Sequence, residues 1–330
     1  MAAQLKVCII GAGAIGGFIG TRLALAGQCE LTALARGATL QALREHGWRL
    51  QMGGETLTAP ARVAADAREL GPQDLLIIAV KGPALRELAP SLAPLLGEQT
   101  MLLPAMNGVP WWFGEGIAAL DDAPLESVDP GGAISAALPA HRVLGCVIHA
   151  STQTPEPGLV RHIMGNGLIV GEAFGGESER ARRVADLLLH AGFNVTLSQR
   201  IRYDIWYKLW GNMTTNPVTA MTGATADKLL DDPLASAFCI AAMREAAEIG
   251  RHIGCDITES PEERHNVTRK LGAFKTSMLQ DAEAGRPLEL DSLVGAVREI
   301  GQRVGVATPN IDALFGLARL FARCHGMYPA

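Results

Sequence analysis

The stretch Val7-Cys8-Ile9-Ile10-Gly11-Ala12-Gly13-Ala14-Ile15-Gly16 decides the fold. An apolar run of strand length enters a G-x-G-x-x-G, after which Phe18, Ile19, Leu23 and Leu25 recur at helical spacing. A strand, a glycine turn and a helix in that order make a dinucleotide cradle. The first glycine permits the tight turn, the second lets a pyrophosphate approach the backbone, and the third lets the helix pack closely. The helix N-terminus then offers unpaired N–H groups and a partial positive charge to the phosphates. Gly11, Gly13, Ala14, Ile15 and Gly16 are the expected cofactor contacts. A cradle of this kind serves a redox enzyme or a cofactor sensor.

A second apolar run, Leu31 to Ala35, ends in Arg36. At that strand end, roughly twenty residues past the last motif glycine, NAD-binding chains usually carry an Asp or Glu for the ribose 2′-hydroxyl, whereas an Arg can pair with a 2′-phosphate. No acid lies in Leu34-Ala35-Arg36-Gly37, so Arg36 is expected to select NADPH. The competing reading is a solvated Arg that merely follows a strand.

The chain has 330 residues and a formal net charge of -5, with both signs scattered and no Lys/Arg run. That length suggests two domains, and the charge pattern argues against nucleic acid or an anionic membrane as the main partner. A small-molecule substrate fits better. Cysteines 8, 29, 146, 239, 255 and 324 form no C-x-x-C pair and read as buried thiols of a reducing compartment. No basic segment followed by an apolar run opens the chain, and no stretch is long enough to span a bilayer, so a cytoplasmic location is expected. The histidines show neither H-x-x-x-H nor a Cys/His cluster, so the sequence supports no metal site.

Strand-like runs at Val7 to Ile10, Leu31 to Ala35, Leu75 to Val80, Thr100 to Leu103, Gly145 to His149 and Leu168 to Gly171 alternate with helical patterns. A helix from about Ser178 to Ala191 and a strand over Asn194 to Leu197 complete the series. This alternation predicts an α/β domain with a Rossmann-type doubly wound parallel sheet over residues 1–199. From Ile201 on, apolar residues recur with period near 3.6 around 201–222, 233–253, 262–284 and 288–304, which predicts an all-helical domain over 200–330 for substrate binding and dimerisation. An apolar helical domain is compatible with a homodimer. The segment Pro110 to Pro139 fits neither pattern, and Trp111, Trp112 and Phe113 within it read as packing material.

Several polar residues are placed where chemistry is expected. Lys81 and Asn107 each follow an apolar strand, and ligands of open α/β sheets bind beyond the carboxyl ends of strands. Lys81-Gly82-Pro83 and Asn107-Gly108 could equally be simple turns. Lys208, Asn212 and Asn216 are spaced i, i+4, i+8, so an amine and two amides share one helical stripe among aromatic neighbours. Asn is a poor helix former, and two in succession on one face favour a ligand site over a solvated face. Ser277 and Glu289 flank a turn containing Gly285-Arg286-Pro287, although Glu289 in a first helical turn could serve the helix dipole instead.

The G-x-G-A-x-G, the Lys81 and Asn107-Gly108 positions, the K-L-x-x-N-x-x-x-N-P helix from Lys208 and the S-M-x-Q-D…G-R-x-x-E-x-D segment together resemble the ketopantoate reductase (2-dehydropantoate 2-reductase) family over nearly the whole chain. The resemblance implies NADPH-dependent reduction of a 2-oxo acid, in that family 2-dehydropantoate to pantoate in pantothenate biosynthesis. It implies that Lys208 is the proton donor and that Glu289 binds the substrate hydroxyl. Asn212, Asn216 and Ser277 would hold the substrate, and Lys81 and Asn107 would lie at the cofactor and nicotinamide end. Hydride addition to a carbonyl builds an alkoxide that a partly desolvated Lys ammonium can protonate. The chain departs from the family pattern at Met106, where a His is usual, in the long 110–139 segment, and at Ala224-Thr225-Ala226, where a further substrate Asn is expected. These departures bear on substrate identity, leaving a reductase of another branched 2-oxo acid as an alternative while the reaction type stands. Two further readings are a 3-hydroxyacid dehydrogenase-like enzyme and, in a different class, a binding protein that senses NADPH without turnover.

Overall fold

The structure, a computed structural model, describes residues 4–329. The chain forms two compact units, one containing residues up to Met106 and Ala133–Arg202, the other Asn107–Gly132 and the chain from Tyr203 on.

The first unit contains β1 (Leu5–Ile10), α1 (Ala14–Ala26), β2 (Cys29–Leu34), α2 (Gly37–His46), β3 (Trp48–Met52), β4 (Glu55–Ala59), β5 (Val63–Ala64), β6 (Gln73–Ile78), α3 (Gly82–Leu88), β7 (Leu96–Pro104), α4 (Ala133–Ala137), β8 (Leu144–Glu156), β9 (Leu159–Glu172), α5 (Glu179–His190) and β10 (Asn194–Ser198). Its main sheet has the order β5-β2-β1-β6-β7, with every pairing parallel. Strands of such a sheet are covered on both faces, which is why they read as continuous apolar runs. Val7 to Ile10 and Leu75 to Ile78 are fully buried, each large side chain contributing about 1.5–3 kcal/mol by leaving water. β1 lies between β2 and β6; the chain builds outward from β1 through β2 to β5 on one side and from β6 to β7 on the other, so the crevice beyond the carboxyl ends of β1 and β6 is the expected ligand position of this architecture.

The later strands do not extend that sheet as their spacing suggests. β8, β9 and β10 join β3 and β4 in a second, mixed sheet, in which β8 and β9 form a long antiparallel pair and β10 runs parallel to β9. The hairpin β3–β4 turns on Gly53 and Gly54, with φ of 62° and 86°. Two central turn residues at positive φ match the twist of a tight hairpin, so a Gly-Gly between alternating strands was a readable signal. Helix α1 packs on β3 and β9 as well as on β2, burying Phe18, Ile19 and Leu23 between the two sheets.

The second unit contains α6 (Ile201–Thr222, apart from its first two residues), α7 (Ala226–Asp231), α8 (Pro233–His252), α9 (Pro261–Arg269), α10 (Ser277–Glu283), α11 (Ala296–Arg303) and α12 (Pro309–Cys324). α8 packs against α7, α9, α11 and α12, and receives α6 through Trp210, whose indole N–H donates to the Met243 carbonyl at 2.7 Å. Helices start at Asp232, Ser260 and Thr276, whose side chains accept from the first-turn N–H groups. Two segments expected as single helices are interrupted. Residues 270–276 leave helical geometry between α9 and α10, with Gly272 at φ 69° and Thr276 as a new cap. Residues 291–295 form a π-type turn before α11.

Residues 107–132 lie within the expected 1–199 domain, yet the structure groups them with the helices. Their aromatic residues supply the reason. Trp111, Trp112 and Phe113 are buried, and Phe113 stacks on Trp206 of α6 with ring centroids 5.9 Å apart. Large apolar rings settle where a core can cover them. No helix among the described residues is long and apolar enough to cross a membrane.

Candidate active site

In the first unit, the glycine motif bends as the cradle requires. Gly11 sits at φ 88°, a Cβ there would lie 2.4 Å from Val80, and a Cβ on Gly16 would lie 2.0 Å from the Gly11 carbonyl oxygen. These two glycines are demanded by the fold itself. Gly13 differs: it caps α1 at negative φ, is exposed, and a Cβ on it would meet nothing within 4 Å. The protein leaves this space open, next to the N–H groups of Ala14 and Ile15. The first turn of α1 carries no acidic residue and Gly13 offers no side-chain cap. The helix end therefore keeps its donors and partial charge for an external anion, and the residues fit a dinucleotide pyrophosphate.

The neighbouring strand ends complete this face. Arg36 follows β2, stands exposed as the N-cap of α2, and has no acidic residue in the turn after it. Lys81 follows β6 and caps α3, half-buried.

In the second unit, α6 buries Ile205, Trp206, Leu209, Trp210 and Met213, which turns Lys208 and Asn212 to the half-exposed side. The Lys208 ammonium donates to the Asn107 side-chain oxygen at 2.8 Å. Lys has donors only, so this contact fixes the orientation of the Asn107 amide and leaves its NH₂ group directed elsewhere, available to an acceptor. Neither Asn212 nor Asn216 forms a side-chain hydrogen bond with another described residue, although Asn216 is 4% exposed. Amides held there without protein partners suit a polar ligand. Next along α6, Pro217 has no N–H for the Met213 carbonyl, and Thr214, Thr215 and Thr219 donate their hydroxyls back to backbone carbonyls of the helix.

Ser277 and Glu289 are tied to this helix by contacts the sequence did not announce. The Thr219 and Thr276 hydroxyls share a buried hydrogen bond of 2.7 Å, and the Thr219 hydroxyl also reaches the Asn216 carbonyl at 3.1 Å. Ser277, exposed at the start of α10, directly follows the residue that is anchored on Thr219. On the other side, the Val109 N–H donates to the Ser292 carbonyl at 2.8 Å. Gly108, at φ 82°, approaches so closely that a Cβ would lie 2.6 Å from the same oxygen. Asn107 is thereby fixed next to the turn that carries Glu289, which is half-buried. Thr219, Thr276 and Ser292 carry no sequence signal for these contacts, because a hydroxyl pair across two helices and a backbone carbonyl that meets a distant N–H have no spacing signature.

An ammonium, several amides and hydroxyls and a carboxylate in one helical unit, with a dinucleotide cradle in the other, define a nicotinamide-dependent reductase of small polar substrates. Comparison with known proteins narrows this class. The family model described as ketopantoate reductase PanE/ApbA matches residues 7–175, and its C-terminal counterpart matches residues 200–322. A 2-dehydropantoate 2-reductase from Mesorhizobium japonicum is 42% identical over 98% of this chain and 100% of its own length. The crystal structure of a candidate ketopantoate reductase from Ralstonia solanacearum MolK2 superposes with a TM-score of 0.95 at 54% identity, covering 99% of this chain and 100% of that one. D-mandelate dehydrogenase, solved with NADH and anilino(oxo)acetate, shares the fold at a TM-score of 0.83 and 22% identity, covering 98% of this chain and 99% of that one. The chain belongs to the ketopantoate reductase family and is an oxidoreductase.

Proposed function

We propose that this enzyme reduces 2-dehydropantoate to pantoate with NADPH, a step of pantothenate biosynthesis, and that Lys208 and Glu289 carry the reaction. The observation that carries this reading is the Lys208–Asn107 contact on a helix whose next two positions along the same i, i+4 stripe, Asn212 and Asn216, leave their amides to a ligand. The 42% identity to a 2-dehydropantoate 2-reductase supports the substrate. Arg36, exposed and with no carboxylate in the adjoining helical turn, supports NADPH over NADH.

NADPH, when bound, supplies the hydride that reduces the C2 carbonyl carbon. Gly11, Gly13, Ala14, Ile15 and Gly16 would hold its pyrophosphate, Arg36 its 2′-phosphate, and Lys81 and Asn107 its nicotinamide end. Lys208 stabilises the negative charge that develops on the C2 oxygen and transfers a proton to it, then regains one from water. Asn107 holds the ammonium in place through its side-chain oxygen. Asn212, Asn216 and Ser277 donate to the substrate carboxylate, and Glu289 accepts from the C4 hydroxyl. Each of these hydrogen bonds to a charged group is worth about 1.5–3 kcal/mol. The exposed Leu317 and Leu320 of α12, 59% and 60% accessible, support the homodimer expected of the helical domain, which light scattering would measure.

The test is NADPH oxidation across a panel of 2-oxo acids that differ in branching, aromaticity and the C4 hydroxyl. The highest kcat/KM is expected for 2-dehydropantoate. A clear preference for an unhydroxylated or aromatic acid would reassign the substrate, and cofactor binding with no turnover on any acid would make the protein a sensor.

A further inference from the structure

The segment that follows α12 lies against the turn bearing Glu289. After Gly326, at φ 67°, the Met327 N–H donates to the Ala322 carbonyl at 2.7 Å, and the Met327 carbonyl accepts from the Leu288 N–H at 3.0 Å. Met327 is buried at 3% exposure, and the next residue, Tyr328, donates its phenol hydroxyl to the Asp291 carboxylate. The Arg323 guanidinium lies 5.7 Å from the centre of the Tyr328 ring and donates through Nε to the Pro329 carbonyl at 3.0 Å. Two contacts from one short segment thus bracket Glu289, at the residue before it and two residues after it. Leu288 and Leu290 are buried at 4% and 0%, which pins the intervening backbone from the core side.

Asp291 also opens the π-type turn Asp291–Gly295. Such turns are rare and are frequently found at functional sites. Burial pushes the Asp291 carboxyl above the ordinary range, and the Tyr328 hydroxyl and the Arg319 charge offset part of that cost. Beyond Asp291, the Ser292 carbonyl takes the Val109 N–H beside Asn107. The turn is therefore held by Tyr328 on one side and by the Lys208–Asn107 region on the other.

We propose that Tyr328 is a positioning residue for substrate recognition: through Asp291 it sets the placement of the Glu289 carboxylate and thereby the preference for a 2-oxo acid bearing a C4 hydroxyl. This proposal rests on the reading of Glu289 as the hydroxyl contact. It differs from a purely structural role in what it predicts. A strap that only stabilises the fold would affect every substrate alike, whereas a residue that aims one carboxylate affects only the group that carboxylate binds.

The experiment compares wild type, Tyr328→Phe, Glu289→Gln and the double variant. Each is assayed with NADPH on 2-dehydropantoate and on 3,3-dimethyl-2-oxobutanoate, the same acid without its hydroxyl, and thermal unfolding is followed in parallel. Tyr328→Phe keeps the ring and its packing against Arg323. It is expected to lower kcat/KM for 2-dehydropantoate by about tenfold, mainly through KM, as loss of one aligned hydrogen bond would. The unhydroxylated acid should change by less than about twofold, and the double variant should lose little more than Glu289→Gln alone. A hydroxyl-selective loss in Glu289→Gln without one in Tyr328→Phe would overturn the proposal and leave the Glu289 reading standing. Equal losses on both acids in Glu289→Gln would overturn that reading and the proposal with it.

Discussion

Lys208 and Asn107, 101 positions apart in the chain, meet at 2.8 Å with the ammonium donating to the amide oxygen. One residue comes from the middle of α6 and the other from the chain just beyond β7. Their contact joins the expected proton donor to a residue that the sequence alone could have assigned to a turn.

That pairing makes the two residues energetically dependent. Lys208→Ala is expected to lower kcat by about a hundredfold to ten-thousandfold, the range associated with loss of a general acid. Asn107→Ala should cost about tenfold to a hundredfold, because the ammonium remains but loses its anchor. The double variant should be close to Lys208→Ala alone, since residues that act as a unit do not add. Steady-state kinetics on folded protein checks all three, and strictly additive losses would separate the two roles.

Arg36 governs cofactor choice in the proposed function. Arg36→Ala is expected to weaken NADPH by about tenfold to a hundredfold while changing NADH little, as a lost charge-assisted bond to one phosphate requires. Fluorescence titration with each dinucleotide measures this. Equal weakening of both would place Arg36 outside the 2′-phosphate contact.

The motif glycines divide into those needed by the fold and one left open. A Cβ at residue 16 would lie 2.0 Å from the Gly11 oxygen, so Gly16→Ala should destabilise the protein by about 1–3 kcal/mol or more in urea unfolding. Gly13→Ala meets no protein atom within 4 Å and should unfold like wild type, yet bind dinucleotide at least about tenfold more weakly by crowding its phosphates. Unaltered binding in Gly13→Ala would show that the open space is not used.

The buried Thr219–Thr276 hydrogen bond, 2.7 Å long, anchors the start of α10 on α6. Thr276→Val removes both this bond and the helix cap that accepts from the Leu279 N–H at 3.2 Å. A loss of about 1–3 kcal/mol in stability is expected, together with a raised KM for the 2-oxo acid as Ser277 loses its placement. Denaturant unfolding and KM measured on the same preparation check the link, and a stability loss with KM unchanged would detach Ser277 from the substrate.

The departures from the sequence reading have particular causes. The strands over Gly145 to His149 and Leu168 to Gly171 carry the apolar pattern of buried strands, but that pattern does not say which sheet a strand joins. The structure pairs β8 with β9 and β9 with β3, a partnership made by residues more than a hundred positions apart. Residues 107–132 follow a strand of the first unit directly, and only the burial of Trp111, Trp112 and Phe113 in the second unit reveals where they belong. Likewise, apolar periodicity runs through 262–284 without showing the break between Arg269 and Ser277.

The sequence by itself determined the dinucleotide cradle, the helical second half and the polar stripe of α6. Each of these depends on local order: a glycine spacing after a strand, a 3.6-residue period, and side chains four apart on one helix. Only the tertiary structure decided that Asn107 takes the Lys208 ammonium as its partner, that Thr276 binds Thr219, and that Met327 and Tyr328 bracket Glu289. Those contacts join residues from 37 to 101 positions apart, and a hydrogen bond across such a distance follows from the packing of whole elements rather than from the identity of neighbours in the chain.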